Sequence, residues 1–415
     1  MKYANSLKYM NSFEPMGSGA DVSVPRVSEL CDRMGRINIG TRYIAIPSGV
    51  GGHVCAVMLE SVIKSAGYRV GRIDLCQCDD SRASVFVGGA ALSIEDYNKC
   101  VAELKGAVAK APDTVYRKEE AVFALGLLAC KLEACEYVII EGIGACGTVE
   151  SVCAPYDIII APSFCNDAKS QMGIRAVCEA IRRGVREVVS GNQSSDVYGM
   201  ISGACVLSGV RLSLTAKPTL TVEEISSRRL KFSYSGRDGY VIKNPSHLAR
   251  ECAILVIESA LAIRRDGIKM PWSSISAGLE AAVELCCFDM ISMSPLVVAD
   301  GADNAENVSQ LVSTAQDVMG GIERLTLCIR IDPETDLDAM LGSFAGIHID
   351  QIIAIPRCDG QKLHITRDNE VIVNSVAEAA QLVSVAASEH RGVLCFGDVS
   401  FARQIKTEFI KLMGY

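Results

Sequence analysis

The chain has 415 residues, 49% of them hydrophobic, with 41 basic against 49 acidic residues for a formal net charge of −8. That composition supports a large buried core, excludes a disordered chain, and at this length favours two or three domains. Both signs of charge are interspersed and no basic run occurs, so neither nucleic acid nor an anionic membrane is expected as a partner. No apolar stretch approaches the ~20 residues that span a bilayer, and MKYANSLKYMNSFEP lacks a signal-peptide core, so a cytoplasmic location is expected.

In chain order, a polar start containing Gly17, Ser18 and Gly19 precedes a helix expected over Ser28 to Met34. The stretch RYIAIPSGVGGHVCAVMLESVIKSAGYRVGRIDL, Arg42 to Leu75, then reads as a strand (Tyr43 to Ile46), a glycine loop (Gly49 to Gly52), an amphipathic helix (Val54 to Ser65), a stop at Gly67 and a second strand (Tyr68 to Ile73). Such a βαβ unit places loop amides at a helix N-terminus, where they form a cradle for an anion. The architecture is that of a P-loop. Its chemistry differs, because GxxxxGK[ST] supplies a lysine to the terminal phosphates and a hydroxyl to Mg²⁺, and this loop has neither.

The helix and second strand resemble the folylpolyglutamate synthase/dihydrofolate synthase family of the Mur ligase superfamily, in which G-T-N-G-K-G-S is followed by V-C-A-M-L-E-S-I-L and A-G-Y-R-V-G. Val54, Cys55, Ala56, Met58, Leu59, Glu60, Ser61, Ala66, Gly67, Tyr68, Arg69, Val70 and Gly71 match. The loop is rewritten as Pro47, Ser48, Gly49, Val50, Gly51, Gly52, His53, with Gly51 at the lysine position and His53 at the magnesium hydroxyl. The resemblance implies an α/β fold: a Mur-ligase-like P-loop domain with a helix-flanked parallel sheet over residues 1–294, and a smaller Rossmann-like C-terminal domain over 295–415. It also implies an activity: ATP phosphorylates a pterin-bound carboxylate, and the amine of glutamate attacks the acyl phosphate.

Further along, Val87, Gly88, Gly89, Leu92 and Ser93 keep the family register, while Asp79, Asp80, Ser81 and Arg82 replace its ligand-side loop. A helix over Lys118 to Glu133 and a strand over Tyr137 to Ile140 place Glu119 and Glu141 on two family glutamates, the first a magnesium ligand there. Gly142 to Val152 loses the family's arginine, aspartate and asparagine. Ala154 to Phe164 is expected to be a buried parallel strand. It is followed by Ser163, Phe164, Cys165, Asn166, Asp167 and Ala168, without the family's metal-binding histidine. The helix Ile174 to Arg183 carries Val177, Cys178 or Glu179 where the resemblance implies an active-site lysine. Polar segments at Thr219 to Val222, Leu230 to Tyr234 and Gly239 to Ile242 suggest an antiparallel flap with SGRDG as a turn. Pro245 and His247 are kept, with Glu251 replacing an asparagine; Leu285, Cys286, Cys287, Phe288 and Asp289 lack the nucleotide-binding arginine. Asp300 and Asn304 belong to a D-G-A-D-N run resembling D-G-A-H-N, and Gly397 keeps the glycine of G-S-L-Y.

Each candidate has a structural alternative. Glu119 and Glu141 are either a residual Mg²⁺ site or charges at element ends that face solvent. His53 either donates to an anion when protonated, or caps the helix or faces solvent. Asp300 and Asn304 either serve a ligand or stabilise a strand-end turn by Asx hydrogen bonding. Eighteen cysteines without a CxxC read as small core hydrophobes. The losses together remove most of the electrostatic stabilisation that phosphoryl transfer requires. The expectation is a degenerate pseudoenzyme that binds a protein partner or a small anionic ligand; the alternative is an active ATP-dependent acid–amino acid ligase with an altered site, using Mg and ATP.

Overall fold

The structure, a computed structural model, describes all residues except 1, 15–23, 76–80, 144–155, 166–167, 216–218, 227, 284, 294–295, 320–322, 332–334, 358–368, 389–391 and 414–415. It forms two compact units, Met1–Thr219 with Cys252–Ala281, and Leu220–Glu251 with Ala282–Tyr415.

The first unit opens with α1 (Tyr3–Met10) and α2 (Val24–Arg33), then β1 (Arg42–Pro47), α3 (Gly52–Ser65) and β2 (Val70–Asp74). Next come β3 (Val85–Val87), β4 (Ala90–Ala91), α4 (Ile94–Ala109), α5 (Lys118–Leu132), β5 (Tyr137–Ile143) and β6 (Tyr156–Ala161). The run ends with α6 (Ala168–Arg182), β7 (Glu187–Ser190), α7 (Ser195–Ser208) and β8 (Arg211–Leu214). The eight strands lie in the order β4-β3-β2-β5-β1-β6-β7-β8. Pairing is parallel from β2 to β8, and β3 and β4 add an antiparallel edge. The expected βαβ unit is present, and its strands are buried on both faces because helices cover the sheet. Helix α5 shows why: it is apolar all round, with every residue from Glu120 to Cys130 buried, and such a helix belongs inside a domain.

The second unit contributes β9 (Leu220–Ser226), β10 (Arg229–Tyr234) and β11 (Arg237–Ile242), an antiparallel sheet ordered β11-β10-β9. Ser235 and Gly236 both have positive φ, at 50° and 72°, the signature of the tight hairpin expected from SGRDG. Helix α8 (His247–Arg265) follows, its residues from Cys252 onward belonging to the first unit, as does α9 (Trp272–Ala281). Gly278 allows α9 to lie on α3: a Cβ there would sit 2.4 Å from the Val62 Cα.

The remainder of the second unit is β12 (Asp289–Met293), β13 (Leu296–Asp300), α10 (Ala305–Met319), β14 (Arg324–Ile331), α11 (Leu337–Gly342), β15 (His348–Pro356), β16 (Glu370–Ile372), α12 (Val376–Ser388), β17 (Gly392–Phe396) and α13 (Val399–Leu412). Its sheet runs β12-β13-β17-β14-β15-β16, parallel but for β12. Separate apolar clusters cover its two faces, one built on Val308, Leu311 and Val312 of α10, the other on Val383 of α12 and Phe401 and Phe409 of α13. Among the described residues, no helix is long and apolar enough to cross a membrane.

Candidate functional site

Strands β2 and β5 are parallel neighbours whose register sets Asp74 beside Glu141. Residues two apart on a strand share a face, so Arg72 joins them. Adjacent carboxylates repel, and the sequence answers with cations. Arg72 Nη1 donates to Glu141 Oε2 at 2.9 Å, and Arg72 Nε donates to Glu60 Oε2 at 2.9 Å. Glu60 Oε1 in turn accepts the Gly89 amide at 2.8 Å, and the guanidinium lies 4.0 Å from the Phe86 ring centre. Burial opposes the Arg72 charge, but the fields of Glu141, Glu60 and Asp74 outweigh it and raise its pKa, so the arginine stays cationic inside the protein.

His53, in the first turn of α3, completes the group. Its Nδ1 lies 2.8 Å from Glu141 Oε1. One donor atom each from His53, Asp74 and Glu141 falls within 4.8 Å of the others, and all three side chains are buried. Glu141 therefore meets His53, as a site at the glycine loop requires. Glu119 is not part of that group; it is half-buried in the first turn of α5. Its neighbour Glu120 is the buried residue, accepting from Arg26 at 2.5 Å and from the Arg117 amide at 2.8 Å. Arg72, Asp74 and Glu60 escaped the sequence reading as site residues. The available signal was two charges, at i and i+2, inside a strand otherwise apolar.

The glycine loop is packed onto its own protein. The amides of Ser48, Val50 and Gly52 donate to Ile143 O at 3.4 Å, Ser163 O at 2.8 Å and Gly49 O at 3.2 Å. A Cβ on Gly49 would stand 3.2 Å from the Phe164 ring, and one on Gly173 of α6 would stand 2.4 Å from Ser48 O. The Cys252 thiol donates to Gly51 O at 3.4 Å. Gly51 itself has φ of 78°, a left-handed conformation costly for any residue with a Cβ, so a lysine at this position is strained. Of the cradle expected from the sequence, the Val50 and Gly52 amides already have protein acceptors.

The other expected positions have these surroundings. Val177 and Cys178 are buried, and Glu179 pairs with Arg182 and Arg183. His247 Nε2 lies 2.9 Å from Asp317. Asp300 is buried and accepts the Phe288 amide at 2.7 Å and the Ala302 amide at 2.8 Å, the latter an Asx turn. Burial pushes its carboxyl up to about 7, against the two amides, which lower it. Asn304 caps α10 by accepting the Asn307 amide at 3.0 Å. None of the thirteen described cysteines forms a disulfide, and all but Cys165 are buried. Asp79, Asp80, Asn166, Asp167 and most of Gly142 to Val152 lie outside the described residues.

No family model matches the sequence, and no curated protein matches it. Solved structures do. The folylpolyglutamate synthase of Thermotoga maritima superposes with a TM-score of 0.80 at 17% identity, over 99% of this chain and 96% of that one. A folylpolyglutamate synthase solved with AMPPCP and folate gives 0.82 at 15% identity, over 99% and 100%. The Mycobacterium tuberculosis enzyme complexed with ADP gives 0.78 at 16% identity, over 98% and 99%. This chain has the folylpolyglutamate synthase fold. The α/β architecture expected from the sequence is thus borne out along nearly the whole chain. Identities of this order show the fold alone, and chemistry is read from the site.

Magnesium in a nucleotide site takes oxygen ligands, one or two from carboxylates and the rest from phosphates and water. Here a histidine nitrogen stands against Glu141, and the loop that would deliver phosphates donates amides to its own chain. The folylpolyglutamate synthase fold is kept, while Gly51 and His53 stand in place of the lysine and the hydroxyl that a P-loop offers a magnesium nucleotide.

Proposed function

We propose that this chain is a non-catalytic homologue of the folylpolyglutamate synthases, retaining their scaffold without their nucleotide chemistry. The observation that carries this reading is the contact of His53 Nδ1 with Glu141 Oε1 at 2.8 Å, beneath a loop whose Val50 and Gly52 amides bond within the protein. Phosphoryl transfer depends on preorganised cations at the γ-phosphate, and loss of a single such contact costs ~10²–10³ in rate. Gly51 and His53 in place of lysine and hydroxyl remove two contributors at once. An active acid–amino acid ligase would need both functions supplied from elsewhere in the chain. With catalysis gone, the retained scaffold serves recognition, and a protein partner fits a packed loop better than a small anion does.

Isothermal titration with Mg·ATP tests the reading. Binding no tighter than millimolar is expected; a micromolar dissociation constant, or glutamate addition to a folate at the expense of ATP, overturns it.

A further inference from the structure

Glu60, Asp74 and Glu141 bring three carboxyl groups into the interior beside His53, and the Arg72 guanidinium bonds Glu60 and Glu141 directly.

The geometry points to a binding site for one divalent transition ion of the Zn²⁺ class, held by His53, Asp74 and Glu141 without nucleotide. The three donor atoms lie within 4.8 Å of one another, and they come from three elements that the fold fixes independently: the first turn of α3, the end of β2 and the end of β5. One imidazole nitrogen with two carboxylate oxygens is a donor set for Zn²⁺ or Co²⁺, whereas magnesium prefers oxygen alone. Arg72 serves this site as a positioning residue: its bond to Glu141 Oε2 fixes that carboxylate, as outer partners of metal ligands commonly do. The inference rests on the non-catalytic reading, because a nucleotide-bound magnesium would claim Glu141.

The full-length chain, stripped with a chelator and dialysed, is titrated with Co²⁺ and followed by visible absorption. One equivalent is expected to give ligand-field bands without a thiolate-to-cobalt charge-transfer band, to be displaced by Zn²⁺, and to resist Mg²⁺ at ~100-fold higher concentration. His53→Ala is expected to weaken binding at least ~10-fold, and Glu119→Ala to leave it unchanged. A featureless titration, a thiolate charge-transfer band, or equal affinity in His53→Ala overturns the site. The wild-type spectrum decides the matter even if the variant fails to fold. Titration of the stripped chain with Mg·ATP keeps the two readings apart: micromolar binding there defeats the non-catalytic reading whatever cobalt does, and a silent cobalt titration with weak Mg·ATP defeats the metal site alone.

Discussion

Acidic side chains close strands in both units, and the two units treat them differently. At the ends of β2 and β5, Asp74 and Glu141 stand side by side, and the surroundings are ionic: Arg72, His53 and, across the guanidinium, Glu60. At the end of β13, Asp300 is buried just as deeply, but its oxygens receive backbone amides from Phe288 and Ala302. The carboxyl groups of the first unit face a guanidinium and an imidazole, whereas a single carboxyl in the second is held by uncharged donors and is driven toward its neutral form. The first arrangement is a charge network that can exchange a cation. The second is a local brace for a turn.

The comparison breaks most visibly at Arg72. Arg72→Met leaves Glu60 and Glu141 buried without their guanidinium and is expected to cost ~3–5 kcal/mol in urea unfolding; a loss below ~1 kcal/mol would mean the network is not electrostatic. Gly173→Ala probes the packed loop, since its Cβ would meet Ser48 O at 2.4 Å. A loss of ~1–3 kcal/mol is expected from the overpacking, and a neutral result would show that the loop yields freely.

Asp300 sharpens the contrast through pH. Its carboxyl is raised from 3.8 to about 7, so the folded chain binds this proton more tightly than the unfolded chain. The resulting stability is fully present below the unfolded value, is lost as pH rises toward and through about 7, and is gone above it. Asp300→Asn is expected to flatten that decline in thermal unfolding measured between pH 5 and 8.5; an unchanged slope would assign the decline to other groups. The smallest effect belongs to Asn304→Ala, which removes the cap on α10 and should cost ~1 kcal/mol in chemical unfolding. A loss of several kcal/mol would point to a role beyond capping.

These sites differ in how much of them the sequence discloses. Strands β1, β5 and β13 and helices α3 and α5 are legible because apolar runs, their lengths and glycine stops are local properties. His53 and Glu141 are legible as positions, since the loop and the strand end are recognisable. Their meeting is not legible, because it depends on β5 lying between β2 and β1 in the sheet, a long-range pairing that local pattern cannot specify. Arg72 and Asp74 look like interruptions of a strand until the register puts Glu141 beside them. Asp300 and Asn304, read as equally a motif or a turn, form a turn and a cap through backbone amides within a dozen residues.

The central claim is that the glycine loop and its buried ion network no longer receive a nucleotide. Hydrogen–deuterium exchange of the full chain, with and without millimolar Mg·ATP, tests it at the residues concerned. Unchanged exchange across Pro47 to Val54 and at Glu141 is expected. Nucleotide-dependent protection of that loop would contradict it.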